Sequence, residues 1–325
     1  MNRHFAPGRE FSLIESLFDA SHFSRDGRGL GDDGYLFRAG GETWAVSADA
    51  SVEGIHYRLD WTSAEAALEK AVLSNLSDIN AMGGKTSLAF LCLGALESWD
   101  PDQIARLGEA ISRLEKRYGF RVAGGDTVRK ERESFFSLTV LGRIDGKPLL
   151  RSQARPGHRI YLSGPLGSSA AGLALLSGGH KPPGEPGWQP YFTAHLRPTP
   201  PLELGPLLAG CADQAAAIDI SDGLSSELWH LSRQSACRPV VEWGKLAYDP
   251  GLARLPGGER WKDWVLNGGE EYQLLFTGDF SQAELARLSA AAAIKEIGRV
   301  RAGEGVGIVD ENGTERNIEA AGWSH

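Results

Sequence analysis

Four glycine clusters, each carrying a carboxylate, constrain this chain more than any other feature. They are Gly31-Asp32-Asp33-Gly34, Gly124-Gly125-Asp126-Thr127, Ile220-Ser221-Asp222-Gly223 and Asn267-Gly268-Gly269-Glu270. Glycine lets a backbone turn tightly or approach a ligand closely. A single such cluster is ordinary turn or cap chemistry. Four of them, spread over 325 residues, call for a fold that gathers distant loops in one place. Asp49, Asp78, Asp219 and Glu271 add carboxylates at strand ends or beside the glycine turns. Short carboxylates brought together without lysines repel one another when ionised. Hard divalent cations with oxygen ligands remove that repulsion, and Mg²⁺ combines one or two carboxylates with phosphate oxygens. The pattern points to a site for several Mg²⁺ ions and a nucleotide. Asp100, directly before Pro101, reads as a helix cap only.

The periodicity predicts two halves. In the first, Leu13, Ile14, Leu17 and Phe18 have helical spacing, and 43–47 and 55–58 read as strands on either side of Asp49. Thr62-x-x-Glu65 reads as a capping box opening a helix that stops at Gly83-Gly84. Strands are predicted at 88–96 and 135–144, with a helix from Asp100 to about Gly119 between them. A second half begins near Pro148. It has strands at 159–163, 216–220, 272–277 and 294–300, helices at 168–176, 201–209, 224–234 and 281–292, and an irregular Gly/Pro-rich loop at 178–190. The expected domains are 1–147 and 148–325, the first α+β and the second α/β.

Composition narrows the function. Hydrophobic residues are 42% and charged residues 23% of the chain, so a full core is available and general disorder is excluded. A net charge of −8 argues against nucleic acid as a partner, and polyphosphate would need a metal to supply positive charge. Cys92, Cys211 and Cys237 are far apart and form no C-x-x-C, which points to neither zinc nor disulfides. No stretch is long enough for a membrane span, and residues 1–20 lack a basic head before an apolar run, so a cytoplasmic setting is expected. Common nucleotide signatures do not occur. Gly83-Gly84-Lys85-Thr86 lacks the first glycine of a P-loop and precedes a strand, and there is no kinase H-R-D or D-F-G set. Gly164-Pro165-Leu166-Gly167, ahead of a helix, could receive an anion at the helix N-terminus.

Taken in order, the motifs resemble one family across essentially the whole chain. They are Gly31-Asp32-Asp33; Ser47-Ala48-Asp49 leading to Val52-Glu53-Gly54-Ile55-His56; Asn75-Leu76-Ser77-Asp78-Ile79 with Ala81-Met82-Gly83; and Gly124-Gly125-Asp126-Thr127 with Arg129. Arg151-Ser152, Ala154-Arg155-Pro156-Gly157, Arg197-Pro198-Thr199-Pro200, Ile218 to Leu224, Gly268-Gly269-Glu270 and Gly322-Trp323 follow. The set resembles the thiamine-monophosphate kinase family, within the aminoimidazole ribonucleotide synthetase-like superfamily. That resemblance implies an N-terminal α+β domain whose sheet pairs across a homodimer, and a C-terminal α/β domain that completes the active site. It implies ATP-dependent conversion of thiamine monophosphate to thiamine diphosphate, with several Mg²⁺ ions. Carried over by position, Asp33, Ser47, Asp49, Asp78, Asp126, Asp219 and Asp222 correspond to metal ligands. Gly125, Asp126, Arg151 and Ser221 correspond to nucleotide contacts, and His56, Glu270 and Trp323 to contacts with the thiamine phosphate. Ala48 stands where the family usually has Thr, and Glu271 replaces a usual Asp.

The implied acceptor is a phosphate monoester. Its second pKa is near 6, so it is largely deprotonated at neutral pH and no general base is expected. The alternative is a catalytically silent sensor of thiamine phosphate or nucleotide on the same fold. The number of carboxylates speaks against it.

Overall fold

The structure is a computed structural model that describes residues 14, 16–211 and 215–322. Leu13, part of the predicted first helix, and Trp323 lie outside the described residues. Two sheets organise the chain. The first holds β1 (Tyr35–Ala39), β2 (Glu42–Val52), β3 (Lys85–Leu96), β4 (Arg121–Lys130) and β5 (Phe135–Ile144) in the order β1-β2-β5-β3-β4. All pairings are antiparallel except β3–β4.

Helix α1 (Ala64–Ala81) precedes β3, and α2 (Pro101–Tyr118) is the crossover that makes β3 and β4 parallel. Alternate residues of β5, including Phe136, Leu138 and Val140, are fully buried in one core with Leu68, Val72, Leu76 and Ile79 of α1. Almost every residue of α1 is buried, because it packs on the first sheet and on elements of the second half.

The second sheet has strands β6 (Arg159–Leu162), β7 (Ala216–Asp219), β8 (Arg238–Glu242), β9 (Leu274–Gly278), β10 (Lys295–Arg301), β11 (Val306–Val309) and β12 (Glu315–Ile318). Their order is β12-β11-β8-β10-β6-β9-β7. Its helices are α3 (Ser168–Ser177), α4 (Gln189–Leu196), α5 (Leu204–Ala209), α6 (Leu224–Ser235), α7 (Trp261–Asn267) and α8 (Gln282–Leu288). Leu175, Phe192, Leu228 and Val265 from four of these helices share one core with Ile160, Ile218 and Leu275 of the strands. No helix among the described residues is long and apolar enough to cross a membrane.

Several expectations are corrected. Residues 55–58 are not a strand: Gly54 turns the chain at φ +84°, and the Ile55 and His56 amides donate back to the Val52 carbonyl. Ser63, not Thr62, caps α1, its hydroxyl accepting from the Ala66 amide at 3.3 Å. Gly124-Gly125-Asp126-Thr127 is not a turn but the middle of β4, where a bulge opposite Ala89 and Phe90 accommodates it. Gly125 sits there at φ +147°, and a Cβ would run into the Leu91 carbonyl. The predicted loop at 178–190 ends in α4, because Pro190 occupies the first turn of a helix instead of breaking one. The predicted strand from Tyr272 starts only at Leu274, since Glu270 and Tyr272 adopt left-handed φ of +58° and +51°.

Candidate functional site

Three carboxylates meet where the two halves touch. Asp33 comes from the turn before β1, Asp78 from the last turn of α1, and Asp219 is the last residue of β7. One oxygen of each lies within 4.8 Å of the others. Ser47 of β2 donates to Asp78 Oδ2 at 2.6 Å, and Ser77 donates to Asp219 Oδ2 at 2.5 Å. Asp33 Oδ2 is buried with no hydrogen-bond partner. Burial, together with Asp219, Asp49 and Asp33, holds the Asp78 pKa well above the usual carboxylate range. Burial and Asp33 push Asp219 up to about 7. Two carboxylates reluctant to ionise, Asp78 and Asp219, beside the buried, unpaired Asp33 Oδ2, suit a hard cation with oxygen ligands.

The other predicted ligands divide into two groups. Asp49 lies two residues beyond Ser47 on β2, and so on the same face, close enough to raise the Asp78 pKa. Asp222, in the turn before α6, similarly acts on Asp219. Asp126 is not brought in. The ladder aligns Asp126 with Cys92, Ser137 and Ala50 across β4, β3, β5 and β2. Three strand spacings of about 4.8 Å place it roughly 14 Å from β2. Asp126 is exposed there, its Oδ1 accepting the Thr127 amide at 2.8 Å, and Gly125 is exposed beside it.

Arg151 is committed to the chain's own carboxylates. Its amide donates to Asp32 Oδ1 at 2.7 Å, its Nη2 donates to Asp33 Oδ1, and its Nη1 to the Gly31 carbonyl at 3.3 Å. Nε is buried without a partner. Burial works against the guanidinium charge, but the Asp33 field and hydrogen bond outweigh it and raise its pKa. Burial pushes the Asp32 carboxyl up to about 6. Ser221 and Asp222 are fixed by Glu227 of α6, a residue without a recognisable motif: its Oε1 accepts the Asp222 amide at 2.9 Å and faces the Ser221 hydroxyl at 3.5 Å.

A second polar group gathers around Glu270. Its Oε1 is 2.7 Å from Lys70 Nζ and its Oε2 3.3 Å from His195 Nδ1. Burial and Lys70 lower the His195 pKa to about 4, so the imidazole is neutral near pH 7. His56 lies in the turn after β2, where its Nδ1 accepts the Val52 amide at 3.1 Å, which leaves the ring proton on Nε2. Lys70 and His195 carry no motif and were invisible to sequence reasoning. A lysine in a helix ordinarily marks the solvent side.

The helix N-terminus expected to receive an anion is filled from within. Glu271 Oε1 accepts the Ser169 amide at 3.0 Å at the start of α3. Burial nonetheless pushes Glu271 up to about 8, against the backbone donors of Ser169, Gly167 and Ser168. The folded chain thus keeps a proton that the unfolded chain releases near 4.5. Stability contributed by this group is present at low pH and falls as pH rises across that window, by at most about 1.4 kcal/mol per pH unit. Glu271→Gln is expected to flatten the decline. Thermal midpoints of wild type and variant from about pH 5 to about pH 8 check this, and parallel profiles would contradict it.

A five-stranded sheet and a helix-covered second sheet, with an acidic cluster at their junction, make up an AIR synthase-like fold. Residues 31–144 match the family described as AIR synthase related protein, N-terminal domain. The thiamine-monophosphate kinase of Bacillus subtilis (strain 168) is 34% identical over 324 residues, covering 97% of this chain and 99% of the relative. That of Salmonella typhimurium (strain LT2) is 36% identical over 293 residues, covering 89% and 87%. The solved structure of AaThiL complexed with AMPPCP and TMP is similar at a TM-score of 0.83 and 29% identity, covering 97% of this chain and 96% of that one. The chain belongs to the thiamine-monophosphate kinase family.

Proposed function

We propose that this kinase, which phosphorylates thiamine monophosphate to thiamine diphosphate with ATP, moves the γ-phosphoryl group directly and in line to the acceptor phosphate. The observation that carries the reading is the junction of Asp33, Asp78 and Asp219, with oxygens within 4.8 Å of one another. Family membership and the AMPPCP and TMP bound in a related structure name the two substrates. In this reading Mg²⁺ ions are held by Asp33, Asp78 and Asp219, with Asp49 and Asp222 beside them and Ser47 assisting. Bound there, they would neutralise charge on the transferring phosphoryl group.

The chain's own residues then have simple tasks. Ser221 contacts the nucleotide phosphates, and Arg151, whose Nη1 and Nη2 already serve the Gly31 carbonyl and Asp33, adds its positive charge beside them. His56 Nε2–H and Glu270 hold the thiamine phosphate, together with Trp323. The acceptor oxygen needs no base, because its second pKa is near 6. Positioning two anions in line is the main work left to the protein.

The same reading places a domain boundary at 147/148, after the last strand of the first sheet at Ile144 and before Arg159 opens the second. It also makes the protein a cytoplasmic homodimer whose first sheets pair. Edge strand β4, exposed along most of its length, and the exposed Phe90, Val128 and Tyr35 support this. Gly125 and Asp126 lie on that strand, so their nucleotide and metal roles belong to the assembled dimer. A silent sensor has no observation in its favour.

Direct transfer is tested by mixing the protein with ATP labelled at the γ-phosphate, with and without thiamine monophosphate, and quenching in acid and in base. The label is expected only in ATP, inorganic phosphate and thiamine diphosphate. A labelled protein that passes its phosphate to thiamine monophosphate would overturn the mechanism.

A further inference from the structure

Lys70 lies in the interior of α1 and is only 5% exposed. The neighbouring positions Leu68, Ala71 and Val72 are apolar core. A buried ammonium is costly unless its hydrogens find acceptors. Here Nζ reaches Glu270 Oε1 at 2.7 Å and the His56 carbonyl at 3.3 Å. One side chain thus ties together three segments far apart in sequence: the turn after β2, helix α1 and the loop before β9. Glu270 is itself unusual, with φ of +58°, a conformation that persists only where the surroundings impose it. Its amide donates to the Ser221 carbonyl at 2.6 Å, and its carboxylate is shared between Lys70 and His195.

We propose that Lys70 is a positioning residue for the acceptor: its ammonium fixes the Glu270 carboxylate and the His56 turn, and through them the orientation of thiamine monophosphate. This rests on the reading of His56 and Glu270 as acceptor contacts. A buried ion pair is weak evidence for stability, since an apolar replacement of both partners is often neutral. The pair is therefore read as fixing geometry at the two residues Lys70 holds. Lys70 contacts Glu270 and the His56 carbonyl, not the carboxylates of the acidic cluster, so in this proposal it serves the acceptor and not the nucleotide.

The experiment measures steady-state kinetics of the full chain with ATP and thiamine monophosphate varied separately. Lys70→Met is expected to raise KM for thiamine monophosphate about tenfold or more and leave KM for ATP within about twofold. Glu270→Gln is expected to do the same. A purely structural role would move both constants together, and equal increases in both for Lys70→Met would overturn the proposal. If Glu270→Gln raises the thiamine monophosphate constant and Lys70→Met does not, the inference falls and the acceptor contact stands. If Glu270→Gln leaves that constant unchanged, the acceptor reading falls first. Should Lys70→Met not fold, Lys70→Arg keeps the charge but replaces the compact ammonium by a bulkier planar head on a shorter methylene stem, and carries the same comparison, with the same split expected.

Discussion

Asp78→Asn is expected to lower kcat/KM by a factor of about 10³ or more while leaving the protein folded and, without metal, more stable. The two effects have opposite signs for one physical reason. Asp78 is buried among Asp219, Asp49 and Asp33, and its ionised form is disfavoured there. A neutral amide of the same shape removes that repulsion and can still accept the Ser47 hydroxyl. In the proposed mechanism the same change deletes a charged oxygen ligand of the cation that would stabilise the transferring phosphoryl group, a contribution of several kcal/mol. About 4 kcal/mol corresponds to the expected thousandfold. A coupled assay of ADP release with Mg²⁺ varied, and thermal unfolding in chelator, check both halves. Near-normal turnover would remove Asp78 from the cation site, and a lowered melting temperature would make its charge structural.

Arg151→Met should have the next largest effect. Removing the guanidinium leaves Asp33 buried without its cation, and breaking a buried pair of this kind costs about 3–5 kcal/mol. The loss is expected in full when a chelator is present. Millimolar Mg²⁺ should restore part of it, because a divalent ion beside Asp33 takes over the missing positive charge. On the proposed nucleotide role of Arg151, turnover should fall as well. Differential scanning calorimetry of wild type and variant, each with chelator and with Mg²⁺, decides the matter. A deficit unaffected by the ion would show that Asp33 is not among its ligands.

The acidic cluster was legible in the sequence because each member sits in a local motif with its own signature. Asp33 and Asp222 lie beside glycines, Asp78 follows Asn75-Leu76-Ser77, and Asp219 ends a short apolar run. Their convergence follows from collinear motifs and topology. Asp126 shows the limit: its glycines looked like a turn, yet they serve a bulge in an edge strand, and only the register reveals the separation from β2. Lys70, His195 and Glu227 left no signal, because a lone charged residue in a helical pattern is indistinguishable from a solvated face until its neighbours are known. Strands β8, β11 and β12 and helix α7 were unread for a related reason. They are short, and their charged or glycine-bearing sequences, such as Arg238–Glu242 and Glu315–Ile318, lack a clear two-residue alternation.

Helix α1 carries Lys70 near its middle and Asp78 in its last turn. At 1.5 Å per residue, the eight intervening steps span about 12 Å along a rigid rod. On the proposed reading of Glu270 as an acceptor contact and Asp78 as a cation ligand, that rod would act as a gauge. A phosphomonoester too short to stretch between the two would engage only one of them, and the rise of a single helix would select the acceptor by length as well as by charge.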